Sequence, residues 1–168
     1  MREIPLTNGY VALVDDADYE SLIVFSWSAL VDETRQTVYA HRTGPKPDGS
    51  GQTTIRMHRQ IYGCGAPIVD HHDGNGLNNQ RYNLRRASKE QNGQNRKPNR
   101  NSATGLKGVF PARRAGSFIS RITVNRERIH LGSFTDKAEA GRAYDEAARK
   151  YFGEFARTNF EYMEKVAA

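Results

Sequence analysis

Cysteine is almost missing from this chain: Cys64 stands alone among 168 residues. One thiol cannot build an internal disulfide framework, and it excludes a zinc module resting on several cysteines. It also fits a reducing compartment. Long apolar runs are lacking as well. No stretch approaches the roughly 20 residues that a membrane-spanning helix needs. The opening Met1-Arg-Glu-Ile-Pro-Leu is not followed by the apolar core of a signal peptide. A soluble, cytoplasmic protein with no membrane partner is the expectation. Hydrophobic residues make up only 37%, which suits one ordinary domain or two small ones.

Acidic residues are scarce where basic ones crowd. Residues 1–60 carry 6 Lys/Arg against 8 Asp/Glu, but residues 61–100 carry 7 against 3. Between residues 85 and 132, twelve basic residues face only Glu90 and Glu127, a local +10. Such a block is the electrostatic footprint of a polyanion partner.

Three segments follow from the pattern. Residues 1–60 read as β-rich: "YVALV" (Tyr10–Val14) and "TVYAHR" (Thr37–Arg42) are short β-branched and aromatic runs, and "TTIRMHR" (Thr53–Arg59) alternates in part. A short helix is expected near residues 15–22, capped by Asp16 or Asp18. His58 reads as a structural residue beside the next segment rather than a ligand. In residues 61–100, "IVDHH" is a strand end, "DGNGLNN" a loop and "NLRRA" a second strand. Ser88-Lys-Glu-Gln91 then has the form of a capping box, so a helix should begin near Lys89. This strand–loop–strand–helix unit is too small for its own core. It needs the first segment, or a metal, to hold it. The polar run "NRKPNRN" (Asn95–Asn101) reads as a linker.

Residues 101–161 open with "SATGLKGVF", whose "KGVF" (Lys107–Phe110) adds a third strand to the hairpin made by "SFISRITV" (Ser117–Val124) and "RIHLGSF" (Arg128–Phe134). Alternation places Phe118, Ile122 and Val124 on the core face, with Ile129 and Leu131 across from them. Arg121, Thr123, Arg128 and His130 then share the exposed face. A helix should follow, capped by Thr135 or Asp136 and stopped by Gly153. Its inner face would be Ala140, Ala143, Tyr144, Ala147, Ala148 and Tyr151. Phe155 and Phe160 close this small core. The fold class is α+β.

"VDHHDGN" (Val69–Asn75) concentrates two carboxylates and two imidazoles in Asp70–Asp73. Side chains alternate along a strand, so these four cannot all converge on one ion. A carboxylate suits a hard divalent cation, and an imidazole that is not a ligand can act as a general base. The helix after Ser88 can return a further ligand, with Asn92 one turn inside it.

The run "VDHHDGNGLNNQRYNLRRASKEQN" resembles the HNH nuclease motif, the ββα-metal fold, over about residues 69–95. The resemblance implies that Asp70 and Asn92 are metal ligands and that His71 is the base that activates water. It makes Asn83 the residue that orients the His71 loop. His72 stands where many members carry an apolar residue, which leaves open which imidazole does the work. The run "GLKGVF…FISRITVNRERIHLGSF…KAEAGRAYDEAARKYFGEFARTNF" resembles an AP2/ERF DNA-binding domain over nearly all of residues 104–160. It implies a three-stranded sheet laid in the DNA major groove, with Arg121, Thr123, Arg128 and His130 towards DNA and Arg113 and Arg114 joining them. Phe110 and His130 depart from the arginine and tryptophan common in plant members. The leader, with "MHRQIYG", is similar to that of phage and bacterial HNH proteins carrying such a tail.

Together the resemblances imply an HNH nuclease domain at 1–94 (leader 1–60, ββα-metal core 61–94), a linker at 95–103 and an AP2/ERF-like domain at 104–161. The implied activity is a homing-type DNA endonuclease using one divalent ion, Mg²⁺ or alternatively Mn²⁺. Its partner is double-stranded DNA, with no obligatory protein partner, as monomer or dimer in a bacterial or phage-infected cell. Arg85, Arg86 and Lys89 are expected to grip phosphates near the cut. The alternative is a DNA-binding regulator with a non-catalytic HNH scaffold.

Overall fold

A computed structural model describes residues 1–33, 36–63 and 68–160. Cys64 and the expected domain end at 161 lie outside these. The described chain is α+β, with four α-helices and four small sheets whose strands all pair antiparallel. No helix among the described residues is long and apolar enough to cross a membrane. The chain forms two compact units, residues 1–92 and 93–168.

The first unit opens with β1 (Arg2–Pro5) paired with β2 (Val11–Val14), then α1 (Asp16–Ile23). A three-stranded sheet follows, β3 (Ser28–Asp32), β4 (Thr37–Pro45) and β5 (Gln52–Arg56), in the order β3-β4-β5. Next come α2 (Met57–Tyr62), β6 (Val69–His71), β7 (Leu84–Arg86) and α3 (Lys89–Gln94). The extended reading of Thr53–Arg59 holds only to Arg56. Met57, His58 and Ile61 are buried together, a helical spacing, so the chain turns into α2 to bury them. Sequence reasoning also passed over β1 and β3, and over Trp27. The Trp27 indole is fully buried, with its N–H donated to the Leu22 carbonyl at 2.8 Å.

Val69 and Leu84, from β6 and β7, complete a core that Ile4, Leu6, Ala12, Val14, Leu22, Trp27, Met57 and Ile61 largely build. The pair β6–β7 therefore rests on the β-rich leader. α1 is capped at Asp15, not Asp16 or Asp18, and the Asp15 side chain makes no capping bond. It accepts the Arg81 backbone N–H at 2.7 Å instead. Asp18 holds the Arg81 guanidinium through two bonds, 2.8 and 2.6 Å. Leu13 N–H donates to Leu77 O, and Asn79 N–H to Leu13 O, both at 2.8 Å. These bonds pin the 72–83 loop to β2 and α1.

The second unit is the sheet β8 (Val109–Pro111), β9 (Phe118–Val124) and β10 (Glu127–Phe134), in the order β10-β9-β8, followed by α4 (Lys137–Phe152). Asn125 and Arg126, both at positive φ, form the two-residue turn between β9 and β10. Asp136 caps α4, accepting the Ala138 N–H at 2.8 Å, and Gly153 ends it. Ile122, Tyr144, Ala147 and Ala148 are buried together, with Val124, Ile129 and Leu131 packed against them. Tyr151 departs from the expected inner face and is 42% exposed. Gly108 has φ +75°, and a Cβ there would lie 1.9 Å from the Tyr144 ring, so no side chain fits. Residues 95–103, expected as a linker, fall within this unit, and Asn95 is buried.

Candidate functional site

Asp70 and His71 end β6, and their neighbours on β7 are Arg85 and Leu84. Both acid and imidazole are buried, 6% and 4% exposed. Arg85 donates from Nε and Nη2 to the same Asp70 oxygen, Oδ2, at 3.0 and 2.9 Å. The residue expected to hold a phosphate is thus ion-paired with the expected metal ligand. Arg86 and Lys89 are exposed, and His72 is exposed beside the buried His71.

His71 sits among three side chains from outside β6. Its Nε2 lies 3.3 Å from Asn79 Oδ1, and Asn79 Nδ2 donates to Leu77 O at 3.1 Å. That second bond fixes the Asn79 amide with its oxygen towards the ring. Nε2 therefore carries the proton and Nδ1 keeps the lone pair. The His58 ring is 4.8 Å away at 77°, and Tyr39 lies 5.8 Å from His71 and 5.6 Å from His58. Gly76 lets the loop approach Tyr39: a Cβ there would meet Val38 O at 2.4 Å. Burial lowers the His71 pKa, opposed by the Asn79 bond and by the charges of Asp73 and Asp70. Burial, with the neighbouring His71, brings His58 down to about 2. Both rings are neutral at pH 7.

Asn83 is 1% exposed. Its Oδ1 accepts the Asp73 N–H at 3.0 Å, and its Nδ2 donates to Asp73 Oδ1 at 2.9 Å and Asn78 O at 2.8 Å. His72 N–H donates to the Asn83 carbonyl at 2.8 Å. Asp73 Oδ1 also accepts the Asn75 N–H at 2.7 Å, and Asn78 Nδ2 reaches Asp73 Oδ2 at 2.9 Å. The loop following His71 is thus an amide–carboxylate lattice built on Asp73, Asn78 and Asn83.

α3 begins as the capping box requires. Ser88 Oγ accepts the Gln91 N–H at 3.1 Å, and Gln91 Oε1 accepts the Ser88 N–H at 2.7 Å. Asn92 lies half-buried on this helix, its N–H donated to Ser88 O at 3.0 Å. Among the described residues no three His, Cys, Asp or Glu side chains converge as a metal-holding group. The expected pair is different in kind, one carboxylate and one amide. Asp70 and Asn92 both offer hard oxygen donors, which match Mg²⁺ or Mn²⁺ and leave positions for water and a phosphate.

On the second unit, Arg128 pairs across from Thr123 and His130 across from Arg121. Thr123, Arg128 and His130 are exposed, and Arg121 is half-buried because its guanidinium stacks 3.9 Å over Phe110. Arg113 and Arg114 are exposed in the turn between β8 and β9. Lys107 is less of a surface cation than its sequence suggests. It donates to the Gln94 carbonyl, and burial, together with Arg157 and Arg96, lowers it to about 7.

Sequence reasoning did not single out Tyr39, Asn79, Arg81 or Phe110 for the site. Each acts through contacts from another element. A hint was available for Asn79 alone, in the Asn78-Asn79 doublet of an otherwise glycine-rich loop.

No family model matches the chain. A stretch of 55 residues is 47% identical to Protein PPLZ02 of Lupinus polyphyllus, covering 32% of this chain and 34% of that protein. The chain therefore spans about a third of the length of the curated relative it matches.

Proposed function

We propose that this chain is a metal-dependent HNH DNA endonuclease of homing type, directed to its site by an AP2-like domain. One observation carries the reading. A buried acid and a neutral imidazole end β6, an asparagine lattice shapes the loop after them, and a capped helix carries Asn92 in the order that a ββα-metal centre requires.

The residues divide the work. Asp70 and Asn92 would hold the divalent ion, which supplies charge neutralisation at the scissile phosphate. His71 accepts a proton from the attacking water at Nδ1, since Nε2–H is committed to Asn79. Asn79 accepts from that nitrogen, and Asn83 keeps the loop from relaxing away from the ring. Arg86 and Lys89 are exposed where they can meet phosphates. The sheet face of Arg121, Thr123, Arg128 and His130, with Arg113 and Arg114, supplies the register on duplex DNA. The products would carry 5′-phosphate and 3′-hydroxyl ends. With one such centre per chain, a monomer nicks one strand, and cutting both needs a dimer or two visits.

The Asp70–Arg85 ion pair favours a second reading. An acid already neutralised and buried suits a non-catalytic scaffold in a DNA-binding regulator. Plasmid relaxation in Mg²⁺ or Mn²⁺ decides between the two. The nuclease reading expects cleavage that His71→Ala removes while DNA binding persists. Binding without cleavage by wild type in either metal would establish the regulator.

A further inference from the structure

His58 lies outside the strand–loop–strand–helix unit, yet its ring meets His71 edge to face at 4.8 Å. It is 3% exposed, and its Nδ1 has no hydrogen-bond partner. Leaving that nitrogen unpaired costs stability, while the ring itself lies against His71.

The geometry around His71 shows what is needed there. The Asn79 bond holds one ring atom. Two walls flank the ring, His58 from the start of α2 and Tyr39 from β4. Tyr39 is pressed in turn by the loop at Gly76. A helix, a sheet strand and the loop thus converge on one imidazole.

Resting on the reading of His71 as the base, we propose that His58 is a positioning residue. Backed by Tyr39, it holds the His71 ring in one orientation and one tautomer. The depressed basicity of His58 agrees with this, because the wall stays uncharged while its neighbour takes a proton. The contact that matters is the ring, not its nitrogen.

Two readouts on the full chain test this. The first is nitrogen NMR of isotope-labelled histidine rings, which needs no cleavage. Wild type should show His71 as a single Nε2–H tautomer, and His58→Ala should show mixed tautomers. The second is the kinetics of nicking. His58→Ala should lower kcat by about 100-fold, as for a misplaced catalytic group, with KM unchanged, and His58→Phe should restore kcat to within a few-fold. Should His58→Ala fail to fold, Tyr39→Leu removes the second wall and should mix the tautomers in the same way. A folded His58→Ala with one His71 tautomer and wild-type kcat overturns the proposal. So does His58→Phe failing as badly as His58→Ala, which would assign the effect to the nitrogen. If wild type cuts no DNA, the nuclease reading falls, and the tautomer measurement still decides whether His58 positions His71.

Discussion

Burial opposes protonation of both His58 and His71. His58 is brought down to about 2 chiefly by burial, so folding opposes its protonation throughout the acid range. Between that value and the unfolded pKa near 6.5, the unfolded chain binds the proton and the folded chain does not. Stability is therefore fully present above about pH 6.5 and is lost as pH falls, with a slope approaching roughly 1.4 kcal/mol per unit from this one group. Urea unfolding from pH 7 to pH 4 should show that slope, and His58→Phe should flatten it by about one proton. At the neighbouring pair the question is which imidazole acts. His71→Ala should lower nicking by about 100-fold or more, and His72→Ala by only a few-fold, since His72 is exposed. Side-by-side single-turnover rates check this. Loss of cutting in His72→Ala alone would move the base to His72.

Elements depend on local chemistry to different degrees. α3 has six residues and buries none of them, so little tertiary packing holds it. Its reciprocal Ser88–Gln91 bonds carry the start. Ser88→Ala should cost about 1 kcal/mol and loosen the segment carrying Asn92, seen as faster amide exchange at Gln91 and Asn92. By contrast, β8 depends on a glycine. Gly108→Ala forces a Cβ into Tyr144 at positive φ, and should destabilise the second unit by roughly 2 kcal/mol or more. A thermal melt would register it.

Such elements were legible because the information is local. The capping box, the alternation in β9 and β10, and the Asp136 cap all lie within a few residues of what they control. The errors have a common physical source. Asp15 makes no capping bond because Arg81, 66 positions away, takes its carboxylate. Arg85 looks like a phosphate grip until strand register sets it against Asp70. Met57 leaves the strand because it is buried in a core that residues of β1, β2 and α1 share. Where a side chain answers to a distant element, the sequence around it is silent.

At the scale of the whole molecule, charge is the readable property. Twelve basic residues against two acids between residues 85 and 132 predict DNA affinity that falls steeply with salt. Arg128→Ala should weaken binding and reduce the slope of log K against log salt by about one if it meets a phosphate. It should instead relax sequence preference if it reads a base. Titrations at several salt concentrations on matched and scrambled duplexes separate the two.

The bonds from Leu13, Asp15 and Asp18 to the 77–81 stretch make the leader a mould for the histidine loop. A chain begun after residue 60 would contain every residue of the expected metal site and no template on which to arrange them.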